Sequence, residues 1–240
     1  MAADDDERQV GLVSGGFDPR VVGPGELSFL QAVQRVAPFH LGGGAALAGV
    51  HLRHRLSADA DLFVHARDAH RDLVRALPDI GAANGTPVSI LRDGGSFVRA
   101  RLQLSGGSIE LDAVYEPVPD LEPAPPAVDG VVVESLVDLR VNKLTCILSR
   151  SEPRDLVDLL FLDRVGYAPE RDIQLALRKD AGIDPGVIAW LLGQFPVEPL
   201  PIMLIPLDIA ELRAFRDDLR ERFRRLSVPH SPGPSEPTQP

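Results

Sequence analysis

Phe39-His40-Leu41-Gly42-Gly43-Gly44-Ala45-Ala46-Leu47, followed by Ser57-Ala58-Asp59-Ala60-Asp61-Leu62-Phe63-Val64, is the stretch on which the fold turns. From Ala58 to Val64 the side chains alternate, with Ala58, Ala60, Leu62 and Val64 on one face and Asp59, Asp61 and Phe63 on the other. That is the period of a half-buried strand. Residues i and i+2 of a strand share a face, with Cα atoms about 6.6 Å apart, so the two aspartates project together, off the main core. Carboxylates set this way suit hard cations such as Mg²⁺, which take oxygen ligands. Glycines at a turn into a helix let backbone N–H groups approach a phosphate. A phosphate cradle beside metal ligands points to phosphoryl or nucleotidyl transfer.

Working outward, 26–37 reads as a helix, 39–41 as a short approach, and 45–55 as a helix whose first turn carries the glycines. A further helix is expected over 66–77. Phe97–Leu104 and Ser108–Tyr115 both alternate and are joined by Ser105-Gly106-Gly107-Ser108, a strong hairpin signal. Pairing Ser105 with Ser108 would set Arg101 opposite Asp112 and Gln103 opposite Glu110. Five prolines between Pro117 and Pro126 rule out regular structure there and separate a mixed first half from a helical second half. Ser135 with Asp138 three residues on is an N-cap signature for a helix over 136–149, striped by Val137, Val141, Leu144 and Leu148. Pro153 suits the first position of the next helix, running to about 163. Others are expected near 169–179, 184–194 and 208–226.

The bulk properties bound the function. The 240 residues are 44% apolar, enough for a core, and no run is long and apolar enough to span a bilayer. The acidic start, Met1-Ala2-Ala3-Asp4-Asp5-Asp6-Glu7, is not a signal peptide. With 25 basic and 35 acidic residues the net charge is −10, which opposes non-specific nucleic-acid binding. Cys146, the single cysteine, can form neither an intrachain disulfide nor a zinc site and reads as a small buried hydrophobe. His51 and His54 lie at i and i+3 on one helix, but no third ligand is placed near them in sequence. A cytoplasmic location is expected.

The motif at 39–47, then His54-Arg55-Leu56-Ser57-Ala58-Asp59-Ala60-Asp61-Leu62-Phe63, resembles the opening of the AbiEii/AbiGii-type toxin nucleotidyltransferases, within the DNA polymerase β-like superfamily. The resemblance continues at Leu111-Asp112, Asn142-Lys143-Leu144 and Arg150-Ser151-Glu152-Pro153-Arg154-Asp155-Leu156-Val157-Asp158-Leu159. It implies an α/β (α+β) fold, a small mixed β-sheet nucleotidyltransferase core with a helical C-terminal lobe. The expected divisions are a flexible segment over 1–22, the core over 23–133, the helical domain over 134–228 and a disordered tail over 229–240. It also implies transfer of NMP from NTP to an acceptor hydroxyl, tRNA among the candidates, with two Mg²⁺ ions held by Asp59, Asp61 and Asp112. Gly43, Gly44, Arg55, Lys143, Arg154 and Asp155 would contact the nucleotide, with Lys143 neutralising triphosphate charge. The implied partners are the NTP, an RNA acceptor and a cognate antitoxin, with no membrane.

Two positions depart from the family's pattern. Ala45 replaces a hydroxyl residue after the glycines, and Glu110 stands where a cation is common, with Arg101 on the same face as its substitute. Two rival readings follow: a nucleotidyltransferase for a small-molecule acceptor, or a degenerate member that binds nucleotide or a partner without turnover.

Overall fold

The structure, a computed structural model, describes residues 15–228. The disordered tail expected over 229–240, and most of the flexible segment expected over 1–22, lie outside the described residues. Residues 15–22 are not loose. Phe17, Val21 and Val22 are buried, and the Asp18 N–H donates to the Gly49 carbonyl at 2.8 Å.

After helix α1 (Pro24–Val36) comes the short strand β1 (His40–Gly42), then one helical turn, α2 (Gly43–Ala46), which passes into a π-helical segment over Leu47–Leu52. The helix expected over 45–55 thus starts two residues early and ends at Arg53, whose φ of 50° breaks it. Strand β2 (Asp59–Val64), helix α3 (Arg67–Ala83), strand β3 (Val88–Asp93), and the hairpin β4 (Phe97–Leu104) and β5 (Gly107–Tyr115) complete the sheet. Its order is β1-β2-β5-β4-β3. The β2–β5 pair is parallel and the other pairs are antiparallel.

The alternation in β2 and β5 sorts the sheet into two faces. Ala60, Leu62, Val98, Ala100, Leu102, Leu111 and Ala113 are all essentially inaccessible. Each such leucine contributes about 1.5–3 kcal/mol by burial. Helix α3 packs on β2, β3 and β5, and α1 packs on α3. The opposite face carries Asp59, Asp61, Asp112 and Arg99.

Within the hairpin the register differs from the expected one by two residues. Leu104 pairs with Gly107, so Ser105-Gly106 is the turn, Arg99 faces Asp112 and Arg101 faces Glu110. Gly107 adopts φ 145° as the first residue of β5, a conformation open to glycine. A shift of two keeps every side chain on its expected face. Strand β3, not anticipated from the sequence, is an edge strand with a register shift between Ile90 and Arg92 and little burial.

The proline-rich segment is irregular up to helix α4 (Leu136–Ser149). There the Ser135 hydroxyl accepts from the Asp138 N–H at 3.0 Å, the expected cap. Helices α5 (Pro153–Arg164), α6 (Ile173–Lys179, after a 3₁₀ turn over Pro169–Asp172), α7 (Pro185–Leu192) and α8 (Ile209–Ser227) follow. Leu144, Leu156, Leu219 and Phe223 extend the apolar core from the sheet into these helices. Among the described residues no helix is long and apolar enough to cross a membrane.

Candidate active site

Parallel pairing of β2 with β5 puts Asp61 directly beside Asp112, and Asp59 beside Glu110. Neighbours in a parallel ladder point the same way, so acids from two strands meet on one face. All of these but Asp61 are paired with arginine. Arg99 grips Asp112 through two bonds, Nε–Oδ1 at 2.8 Å and Nη2–Oδ2 at 2.7 Å. Arg154 from α5 meets both oxygens of Asp59 at 3.1 and 3.0 Å. Asp61, between them, has no hydrogen bond or ion pair among the described residues. Burial, reinforced by the charges of Asp59 and Asp112 against the opposing charge of Lys143, pushes its carboxyl up to about 6. An acid held there without a partner could hold a cation.

The glycines serve this acid. Gly42 pairs with Asp61 across β1 and β2. Gly43 has φ +58°, and a Cβ there would overlap the Asp61 carboxylate. A Cβ at Gly44 would come 2.6 Å from the Ser57 hydroxyl and 2.9 Å from Arg55 Nη2. Behind Gly42 lies Glu134, whose two oxygens accept from Asn142 at 3.1 and 3.2 Å. Burial pushes the Glu134 carboxyl up to about 8, which favours its neutral form.

Beneath this face, a closed knot of charge joins the sheet to α4 and α5. The Asp158 carboxylate accepts from Arg55 Nε at 2.6 Å, Arg55 Nη2 at 2.7 Å and His54 Nε2 at 2.8 Å, and pairs with Lys143 at 2.7 Å. Burial would raise the Asp158 carboxyl, but Arg55 and Lys143 outweigh it and hold it well below the usual range. Lys143 also donates to Asp155 at 3.1 Å, and Arg150 clamps Asp155 at 2.8 and 2.9 Å. Arg55, Lys143, Asp155 and Asp158 are all buried.

Residues 28–239 match the family described as nucleotidyl transferase AbiEii toxin, Type IV TA system. The chain belongs to the AbiEii nucleotidyltransferase toxins. JHP933 from Helicobacter pylori is similar in structure, at 21% identity over 84% of this chain and 91% of that one, with a TM-score of 0.51. MenT4, a nucleotidyltransferase toxin from Mycobacterium tuberculosis H37Rv, is similar at 15% identity over 83% of this chain and 81% of that one, with a TM-score of 0.56. At these identities the likeness is one of fold. No curated protein sequence matches the chain.

In this AbiEii-family chain, Asp59, Asp61, Asp112, Gly43 and Arg154 come together on the acidic face. Arg55, Lys143 and Asp155, expected to touch nucleotide, are instead turned into the buried knot. Cys146 is only partly buried, and burial pushes its thiol up to about 11. Ala45 is fully buried, so the absent hydroxyl leaves the open face unchanged, and Glu110 is answered by Arg99 at 3.1 Å and Arg101 at 3.4 Å. Glu134 carries no signal in the sequence, and Arg150 and Asp158 lie within the motif at 150–159 with no role that the motif assigns. For Arg99 the alternation in β4 was a sufficient signal once the register was known. A different set of possible metal ligands, His40, His65 and Asp120, gathers farther along the sheet, with ligand atoms within 4.8 Å of one another.

Proposed function

We propose that the β2–β5 face is the catalytic centre of a Mg²⁺-dependent nucleotidyltransferase that transfers NMP from NTP to a hydroxyl of RNA, with tRNA as the leading acceptor. The observation that carries this reading is Asp61, a half-buried carboxyl with no cation of its own, set between Asp59 and Asp112. The donor set fits the metal, since it is all oxygen and anionic. When bound, Mg²⁺ at Asp59, Asp61 and Asp112 would neutralise charge on the reacting phosphates and lower the pKa of the attacking hydroxyl.

The chain's own residues do the rest. Gly43 keeps the wall beside Asp61 free of side chain, giving the triphosphate backbone-level access. Arg154 and Arg99 hold Asp59 and Asp112 in place and, being partly exposed, can turn toward phosphate oxygens as a nucleotide enters. Arg150, 37% exposed while anchored on buried Asp155, adds a further cation at the rim. Together with Arg101 they set four arginines around this face, offsetting its carboxylates in a chain whose net charge is −10. Asp112 takes the role of proton acceptor when Arg99 swings to phosphate. A neutralising antitoxin and a cytoplasmic setting, where NTPs are abundant, complete the reading.

The test incubates the protein with α-labelled NTPs, Mg²⁺ and total RNA, beside Asp61→Ala. Label in RNA that the variant abolishes supports the proposal. Pyrophosphate release only with a small-molecule acceptor replaces RNA by that class. Thermal stabilisation by nucleotide with no transfer at all means a binding protein and overturns it.

A further inference from the structure

His40 lies on β1 opposite Phe63 of β2, and His65 follows β2 directly. His40, Asp61 and Phe63 therefore share the acidic face of the sheet, with His65 in the same alternation about 13 Å from Asp61 at the usual rise per residue. Asp120, from the proline-rich segment, comes in over the two imidazoles. Its Oδ2 is 2.8 Å from His40 Nδ1, and its Oδ1 is 3.2 Å from His65 Nε2. These three groups belong neither to the proposed catalytic centre nor to the buried knot.

The hydrogen bonding fixes what the His65 imidazole presents. His65 Nδ1 lies 2.9 Å from the Glu116 carbonyl oxygen, and a carbonyl can only accept, so Nδ1 carries the proton. In the neutral ring Nε2 is then a bare lone pair, aimed at a carboxylate oxygen that is also an acceptor. His40 Nδ1, His65 Nε2 and Asp120 Oδ1 are all buried atoms with no well-aligned hydrogen-bond partner, despite the short separations. Lys179 lies 4.0 Å from Asp120 but is held by Asp138 at 2.9 Å. The three possible ligand atoms lie within 4.8 Å of one another, and the far N–H of His65 is anchored on a backbone carbonyl, the outer-shell arrangement of a metal-binding histidine.

We infer that His40, His65 and Asp120 form a binding site for a divalent transition ion of the Zn²⁺ class. Two imidazoles and one carboxylate suit Zn²⁺, Co²⁺ or Ni²⁺, whereas Mg²⁺ prefers the all-oxygen set at Asp61. The three side chains are 26%, 30% and 15% exposed, so an ion and a completing water can reach them. Bound there, the ion clips the segment after β5 onto β1 and the end of β2. That segment continues to Val133, which bridges Leu41, and to Glu134 and the Ser135 cap of α4. The clip therefore steadies the connection from the sheet to the helices without touching the catalytic carboxylates. This inference stands independently of the proposed activity.

The test uses untagged full-length protein, stripped with chelator and titrated with Co²⁺. One equivalent should bind with the visible absorption of low-coordinate, nitrogen-ligated Co²⁺, be displaced by stoichiometric Zn²⁺, and survive millimolar Mg²⁺. Zn²⁺ should raise the melting temperature. His65→Gln and Asp120→Asn should each weaken binding more than tenfold while melting like the stripped wild type, and Asp61→Asn should leave it intact. X-ray absorption of the Zn²⁺-loaded wild type, which needs no variant, should reveal two imidazoles. No equimolar binding, an oxygen-only shell, or binding lost in Asp61→Asn and kept in His65→Gln would each overturn the assignment.

Discussion

The acidic face of the sheet and the charged knot beneath it are made of the same residue types, yet they are in opposite states. In the knot, Asp158 meets Arg55, His54 and Lys143, and each buried charge is answered. On the face, Asp61 is answered by nothing, and its neighbours are acids. Burial of charge is tolerable when paired and costly when not. A completed set of partners marks a joint between parts of the fold. An incomplete one is where the proposed site lies.

The comparison breaks most readily on its closed side. Asp158→Ala would strand buried Arg55 and leave Lys143 with Asp155 as its one carboxylate partner, and is expected to cost about 3–5 kcal/mol, read as a lower midpoint in urea. A loss below about 1 kcal/mol would mean that the knot is not a joint. The open side predicts the reverse sign. Because folding raises the Asp61 carboxyl from 3.8 to about 6, the unfolded chain ionises first and wild-type stability falls as pH rises through that window. Above it the deficit is constant, roughly 3 kcal/mol. Asp61→Asn should therefore match wild type near pH 4 and exceed it by up to about 3 kcal/mol at pH 8 in metal-free buffer. The same variant should abolish transfer. Equal stability at both pH values would remove the case for an unsatisfied acid. The smallest effect sharpens the boundary: Gly43→Ala forces a side chain into φ +58° and against Asp61, at about 1–2 kcal/mol. Its expected signature is a small drop in melting temperature with a large drop in transfer.

Much of the architecture was legible because burial leaves a period. The alternation over Ala58–Val64 and Phe97–Tyr115 located three of the five strands, and the cap at Ser135 and Pro153 located α4 and α5. Strand β3 was not legible. It lies at the sheet edge with residues 89–93 exposed and a register shift inside it, so no face of it had to be apolar. The hairpin register was off by two because Gly106-Gly107 offers two placements of a turn, and the pattern of faces is the same for both. Asp59 and Asp61 could be read from strand spacing, and Asp112 from the family resemblance. Their arginine partners could not, since Arg154 meets Asp59 across 95 residues and Arg55 meets Asp158 across 103. Side chains that remote are joined only by the folded chain, which is why Arg55 and Lys143 were expected at the nucleotide and are found in the knot.

The one parallel pair among the five strands, β2 with β5, has a consequence for how the chain is made. Asp61 and its neighbour Asp112 are separated by an α-helix and two strands, and they become adjacent only when β5 slots between β2 and β4. A nascent polypeptide that has emerged only as far as β4 carries two of the three acids and no basin to put them in. With Asp112 in the proposed centre, transfer is expected only once synthesis has passed β5, and a fragment cut before it is expected to be inert.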